Sequence, residues 1–250
     1  MLMVRDIRNL ADAAAQPLLP SCASCPVRGL IAYRNIIARR EFAAESMRTA
    51  ARTMHKGQVI IHQGDRRQFV YTLRSGWAYR YSATRDGRRQ ILSLLLPGDL
   101  IGQVSFDEQR WGYSVRTLTR ATLCEFPRDV LLRELMANPD ALADVLRACG
   151  DAQRDADEIA LSLGARTAVE RLAHFILLLQ RRVARLGDTL DRPLAFEVPL
   201  RRDDLADALG MTAVHVSRSL KKLRDLGIVD FNRGVISIFD DAALRKLAAA

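Results

Sequence analysis

Residues 203–229 read DDLADALGMTAVHVSRSLKKLRDLGIV. Leu205, Ala206 and Leu209 recur at the spacing of one helix face. Asp203 is placed to cap that helix, and Gly210 supplies the left-handed residue on which helices end. Thr212 can cap a second helix by accepting from its free N–H groups. Two short helices joined by a glycine-containing turn make a helix-turn-helix. In the second helix Val216, Leu220 and Leu223 share the face that packs inward. Ala213, Val214, Ser217 and Arg218 lie on or near the opposite face, and Lys221 and Lys222 extend it. The N-terminal residues of such a helix approach base edges in the major groove of double-stranded DNA. Arg218 is the strongest base-reading candidate, because its planar fork matches guanine O6 and N7. Val214 can touch a thymine methyl, while Thr212 and His215 suit phosphates, which fix register and not sequence. A plain helical hairpin with a cationic surface would share much of this pattern, so the flanks decide.

Downstream, IVDFNRGVISIFD at 228–240 reads as a β-hairpin with Arg233-Gly234 near its turn, which makes a winged helix-turn-helix. Upstream, DTLDRPLAFEVPL at 188–200 is a linker with a short strand, preceded by a strongly amphipathic helix, ARTAVERLAHFILLLQRRVARLG, at 165–187. Gly164 marks an interruption before it. Asn138-Pro139-Asp140 is a helix start, since proline fits the first turn. From there Leu142, Leu146, Cys149, Gln153, Ala156, Ala160 and Leu163 follow alternating steps of four and three, a heptad-like seam that suits two helices in a homodimer or one helix packing on its own domain.

The N-terminal half has another texture. Glycines at 64, 76, 87 and 98 punctuate short runs such as FVYTL, WAYRYSA and QILSLLL. Short strands at that spacing predict a sandwich or barrel, and RDGRR at 85–89 is a hairpin turn. SVRTLTRATLCEF at 114–126 continues the β pattern. The expected organisation is α+β: an N-terminal helical segment with a Cys-x-x-Cys over 1–50, a domain of short strands over 51–136, a long helix over 137–163 and a winged helix-turn-helix over 164–250.

Composition agrees with a basic, soluble binding protein. The 250 residues are 49% hydrophobic and 27% charged, with a net charge of +9, which favours an anionic partner such as nucleic acid. No apolar run approaches the ~20 residues that span a bilayer. The first twenty residues mix charges into their apolar positions, unlike a signal peptide. A cytoplasmic location with no membrane association is expected, and with it four cysteines outside any disulfide framework.

A glycine-punctuated β-roll, a long dimer helix and a C-terminal winged helix-turn-helix resemble the CRP/FNR family of bacterial transcription regulators. LPGDLIGQ at 96–103, ARTAVERLAHFILLL at 165–179 and the opening stretch carry the match. The resemblance makes 51–136 a β-roll sensory domain and 137–163 a dimerisation helix. It implies a homodimeric regulator on a two-fold-related DNA site, controlled by its N-terminal domain, with RNA polymerase as a partner if it activates. It implies no enzyme, and no Walker loop, serine elbow or His-Glu-x-x-His pattern argues otherwise.

The effector is left open. The resemblance places a pocket at Gly98, Asp99, Ile101, Gly102 and Gln103, where the cyclic-nucleotide branch has glutamate in place of Gln103. Trp111 and Gly112 stand where that branch has an arginine-serine pair, and a buried phosphate needs a charge partner. A cyclic nucleotide is therefore not expected. The iron–sulfur branch offers Cys22, Cys25 and Cys124 as counterparts of its ligands, but a third N-terminal cysteine is missing, and a [4Fe–4S] cluster takes four thiolates. Plain thiols are the alternative. In the recognition helix, Ser217-Arg218 matches the FNR-like branch, while Val214 replaces the glutamate that family members carry four residues before the arginine. The competing reading is a cyclic-nucleotide-binding module that regulates a partner protein; a redox enzyme on Cys22 and Cys25 lacks the βαβ context such a motif needs.

Overall fold

The computed structural model of the chain describes residues 21–22, 25–29, 47–102, 110–186 and 194–249. The expected helical segment over 1–50 therefore lies mostly outside the described residues. Among the described residues, eight strands build the N-terminal domain: β1 (Ala50–Met54), β2 (Val59–Ile61), β3 (Phe69–Ser75), β4 (Ala78–Ala83), β5 (Arg89–Leu95), β6 (Leu100–Ile101), β7 (Ser114–Thr117) and β8 (Ala121–Pro127). They form two antiparallel four-stranded sheets, ordered β1-β8-β3-β6 and β2-β7-β4-β5. The four glycines at 64, 76, 87 and 98 all sit in connections at positive φ. Leu73, Ile101 and Leu123 from one sheet meet Ile61, Ala78, Leu95 and Val115 from the other in a single interior. That is the expected β-roll.

Three helices follow: α1 (Arg128–Ala137), α2 (Pro139–Ala165) and α3 (Ala168–Ala184). Pro139 opens α2 at its first turn. The helix runs 27 residues, about 40 Å. It does not stop at Gly164, as its sequence suggested, but continues to Ala165; a single glycine lowers helix propensity without ending a helix already nucleated. The break falls at Arg166-Thr167, where Thr167 caps the next helix and its backbone N–H donates to Glu170 Oε2 at 2.9 Å. This reciprocal box starts α3 and halts α2.

The C-terminal domain contains β9 (Ala195–Glu197), α4 (Arg202–Leu209), α5 (Ala213–Asp225), β10 (Val229–Asn232), β11 (Val235–Ile238) and α6 (Asp241–Ala249). Its sheet has the order β10-β11-β9. Leu172, Ile176 and Leu179 of α3 share a core with Leu205 and Leu209 of α4, Val216 and Leu223 of α5, and Leu244 of α6. The same core takes in Tyr79, Ile91, Leu94 and Leu96 from the outer face of the second sheet. The C-terminal domain thus docks on the roll, and β5 is buried on both faces. A strand in that position reads as a continuous apolar run, as QILSLLL does.

Candidate nucleic-acid interface and sensory domain

The helix-turn-helix is built as its sequence proposes, with one correction. Arg201, not Asp203, is the N-cap of α4, and its N–H donates to Asp204 Oδ2 at 3.0 Å. The carboxylate at the third helical position reaches back where a first-turn side chain cannot. Gly210 ends α4 at φ 58°, ψ 42°. A side chain there would be strained and would meet Leu163 Cδ2 at 3.0 Å. Thr212 Oγ1 accepts from His215 N–H at 3.3 Å and starts α5. Val216 and Leu223 are fully buried, with Ser219 beside them, and Leu220 is half-buried at the edge.

The opposite face of α5 is open. Val214 is 58% exposed, and Thr212, His215, Arg218, Lys221 and Lys222 are exposed as well. Ala213 is half-buried, and so is Ser217, whose hydroxyl donates to Ala213 O at 2.9 Å. Arg218 takes no hydrogen bond or ion pair among the described residues, so its guanidinium is available to an outside acceptor. The wing brings a further cation. Arg233 and Gly234 both have positive φ, 49° and 81°, the geometry of a type I′ hairpin turn. Arg233 is the one non-glycine residue at positive φ among those described, and it stands exposed at the wing tip. The sequence marked this turn without marking the arginine as a contact.

The turn of the motif is held from three sides. Arg171 of α3 donates to Leu209 O at 2.8 Å in α4 and to Leu163 O at 3.0 Å and Arg166 O at 3.2 Å at the end of α2. A cation among the free carbonyls of helix C-termini satisfies both hydrogen bonding and the helix dipole. From the roll, Gln90 Nε2 donates to Ala208 O at 3.2 Å, and Arg89 Nε donates to Asp207 Oδ2 at 2.7 Å.

Of the expected effector residues, Gly98, Asp99 and Ile101 lie along a cleft between the roll, α2 and α3. Asp99 accepts from Leu96 N–H at 2.7 Å and is paired with Arg182 of α3, so it ties the roll to the C-terminal domain. Gly98 N–H donates to Leu73 O at 2.8 Å, and Ile101 is buried in β6. Gly102 has φ 108°, and a Cβ there would lie 2.6 Å from Trp111 Cη2. The buried Trp111 ring covers this glycine, with the Arg67 guanidinium 4.6 Å from the ring centre. An apolar ring thus stands where a nucleotide phosphate would need a cation. Arg110, its neighbour, is exposed and donates to Gly64 O at 2.7 Å. Gln103 lies outside the described residues.

Cys25 and Cys124 come together against one apolar cluster with Val27, Met47 and Phe126. Arg48 Nη1 lies 3.9 Å from Cys124 Sγ. Burial pushes the Cys124 thiol up, against the pull of Arg48. Cys22 is half-buried, with its carbonyl accepting from Cys25 N–H at 3.3 Å. No three His, Cys, Asp or Glu side chains converge as metal ligands among the described residues. Without three such donors at one point among the described residues, against the four thiolates that a [4Fe–4S] cluster takes, this donor set does not fit an iron–sulfur cluster, and no step is derived through one. Cys149 is half-buried on α2.

No helix among the described residues is long and apolar enough to cross a membrane. Residues 51–138 match the cyclic nucleotide-binding domain family, and residues 170–247 match the Crp-like helix-turn-helix domain family. The chain is 32% identical over 216 residues to the transcriptional activator protein FnrL of Cereibacter sphaeroides, covering 85% of each. It is 29% identical to the nitrogen fixation regulation protein FixK of Bradyrhizobium diazoefficiens, covering 92% of this chain and 94% of that one. The solved structure of FixK2 from Bradyrhizobium japonicum superposes with a TM-score of 0.72 at 27% identity, covering 80% of this chain and 98% of that one. These relatives are regulators and not enzymes. They do not support the reading as a module acting on a partner protein, since this chain carries its own DNA-binding domain. A roll, a long helix and a winged helix-turn-helix in this order, with these relatives along most of its length, make the chain a member of the CRP/FNR family of DNA-binding transcription regulators.

Proposed function

We propose that the chain works as a homodimer, in the cytoplasm, on a two-fold-related promoter site. The α5 helix of each copy enters one of two successive major grooves about 34 Å apart. Arg218 reads guanine, Val214 and Ala213 meet apolar base edges, and Ser217 lies beside them. Thr212, His215, Lys221 and Lys222 hold phosphates. The open face of α5, with Val214 58% exposed and Arg218 exposed and without a partner among the described residues, is the observation that carries this reading.

The dimer reading rests on α2. Leu146 is 60% exposed along the seam, beside half-buried Leu142, Cys149 and Ala156. Leu161, 58% exposed, lies off the seam but on the same helix. We assign 51–136 as the sensory roll, 137–163 as the dimer helix and 164–250 as the reading domain. RNA polymerase is the further partner if the protein activates, as the names of its relatives say of them.

Sedimentation of the purified protein with a fluorescent duplex from a randomised-site selection tests this. A dimer should bind one two-fold-related duplex, with affinity falling steeply as salt rises. A monomer that binds a single half-site would overturn the dimer, and salt-insensitive binding would overturn the phosphate contacts.

A further inference from the structure

The tip of the wing is a two-residue hairpin loop. Asn232 of β10 pairs with Val235 of β11, and Arg233 and Gly234 alone lie between them. Both have positive φ, 49° and 81°. The first place of such a turn favours asparagine, aspartate or glycine, because a longer side chain is strained in the left-handed region. Arg233 occupies that place and is exposed, and its side chain takes no hydrogen bond or ion pair among the described residues. No contact within the domain accounts for an arginine on strained backbone. A strained, exposed residue points to work outside the chain.

The tip is also held in place. Val229 of β10 and Ile236 and Ile238 of β11 anchor the hairpin in the core. Gly234 O accepts from Val198 N–H at 2.7 Å, and Val198 lies three residues before Arg201, the N-cap of α4. Arg201 and Arg202 are exposed there, so the wing tip shares one edge of the domain with the start of α4. With α5 in the major groove, the first helix of the motif crosses the phosphate backbone that borders it. Beyond that backbone lies the minor groove. The side is set as well. Arg171 ties the other end of α4, at Leu209 O, to the end of α2 at Leu163 O. The wing tip therefore lies on the side of α4 away from the dimer helix, toward the outer flank of the site.

We propose that Arg233 enters the minor groove on the outer flank of each half-site and selects A·T pairs there. The inference rests on the placing of α5 in the major groove and of α2 at the dimer axis. Runs of A·T pairs narrow the minor groove and deepen its negative potential, which attracts a guanidinium. G·C pairs present the guanine N2 amino group there, a donor facing a donor. Major and minor grooves alternate every half-turn, so the preference falls about five base pairs from the guanine under Arg218.

Fluorescence anisotropy at fixed salt tests the proposal, on selected duplexes whose outer flanks carry A·T, G·C or inosine·C pairs. Inosine lacks the N2 amino group, so its pair keeps the major-groove edge of G·C but shows no minor-groove donor, like A·T. The parent should bind the A·T and inosine·C flanks roughly ten-fold more tightly than the G·C flank. Arg233→Ala should lose most of that preference and keep the preference for guanine under Arg218. Arg233→Gly fits the left-handed turn without strain, so it should fold like the parent and lose the flank preference too; it decides the matter if Arg233→Ala does not fold. Equal affinity of the parent for all three flanks, inosine·C bound like G·C, or a flank preference that survives in Arg233→Gly would each overturn it. So would an equal loss in the variants on every flank, which marks a phosphate contact. Flank indifference with the guanine preference intact would overturn the role of Arg233 alone, whereas a parent indifferent to that guanine as well would overturn the placing of α5 in the major groove.

Discussion

Arg89 of the roll and Asp207 of the helix-turn-helix are joined across the domain boundary, with Arg89 Nε 2.7 Å from Asp207 Oδ2. The same guanidinium lies 3.4 Å from Asp204 and donates to the Tyr79 hydroxyl at 2.6 Å. One arginine therefore holds two carboxylates of α4 against β5. Removing it leaves those carboxylates side by side without a cation. Arg89→Ala should cost about 1–2 kcal/mol, since the side chains of Arg89 and Asp207 keep a quarter to a third of their surface in solvent. Urea unfolding checks the cost. A double-mutant cycle with Asp207→Ala should return a coupling energy above about 0.5 kcal/mol; additive losses would mean that the pair does not hold the domains together.

Arg218 and Lys222 share one exposed surface but are assigned different work. Arg218→Ala should cost about 1–3 kcal/mol on the selected site and relax its preference for guanine at one position. Lys222→Ala should weaken all DNA alike and reduce the salt slope by about one. Fluorescence anisotropy on the selected duplex and on a scrambled one, at several salt concentrations, separates the two. Equal losses for Arg218→Ala on both duplexes would demote it to a phosphate contact.

Much of this architecture was legible in local chemistry. Gly210 and Thr212 marked the turn of the motif because a left-handed residue and a hydroxyl cap are needed at those positions. The long α2 helix follows from its periodicity and the strands from their glycine-punctuated spacing. The docking of the two domains was not legible. Arg89, Gln90 and Asp207 look like ordinary surface residues of a strand and a helix, and only the third dimension pairs them across more than a hundred residues. QILSLLL reads as one short strand among several, without saying that both its faces are covered or what covers the second.

Arg171 predicts a larger effect than its single charge suggests. It donates to carbonyls at the ends of two helices, Leu163 O of α2 and Leu209 O of α4. Arg171→Met keeps the apolar stem but leaves these acceptors unpaired, at about 2–4 kcal/mol for the group. The melting temperature should fall by several degrees. Amide exchange should quicken first at Gly210 and Met211, where the turn loses its support. Unchanged exchange there would place the loss elsewhere in the domain.

Val214 permits a change of reading specificity. Its exposed side chain can neither donate nor accept. In Val214→Glu a carboxylate at that place would accept from cytosine N4 and lie one helical turn before Arg218. Site selection with the variant should enrich a cytosine at a position where the parent shows none or prefers thymine. The stability of the fold should barely move, because Val214 is 58% exposed. An unchanged selected site would mean that this turn of α5 does not face the bases.

His174 makes the joint between α2 and α3 sensitive to acid. Its Nε2 lies 3.2 Å from Glu158 Oε2 of α2, which also accepts from Arg181 Nη2 at 2.8 Å. Burial, with the charge of Arg166, holds the imidazole below its ordinary value of 6.5, against the pull of Glu158. For Glu158 burial acts upward, but Arg181 and His174 outweigh it and leave the carboxyl below its ordinary 4.5. In both cases the unfolded chain takes up protons at a higher pH than the native one, so stability rises with pH. The histidine contribution is fully present above about 6.5 and is lost as pH falls from there toward its native value. That of Glu158 is lost only below about 4.5, as pH falls through its lowered value. Unfolding free energy measured from pH 7.5 to 3.5 should decline for the parent, beginning above pH 5. His174→Gln, which does not titrate, should flatten that decline while leaving the loss below 4.5 in place. An identical slope in both proteins would show that another group carries the acid sensitivity.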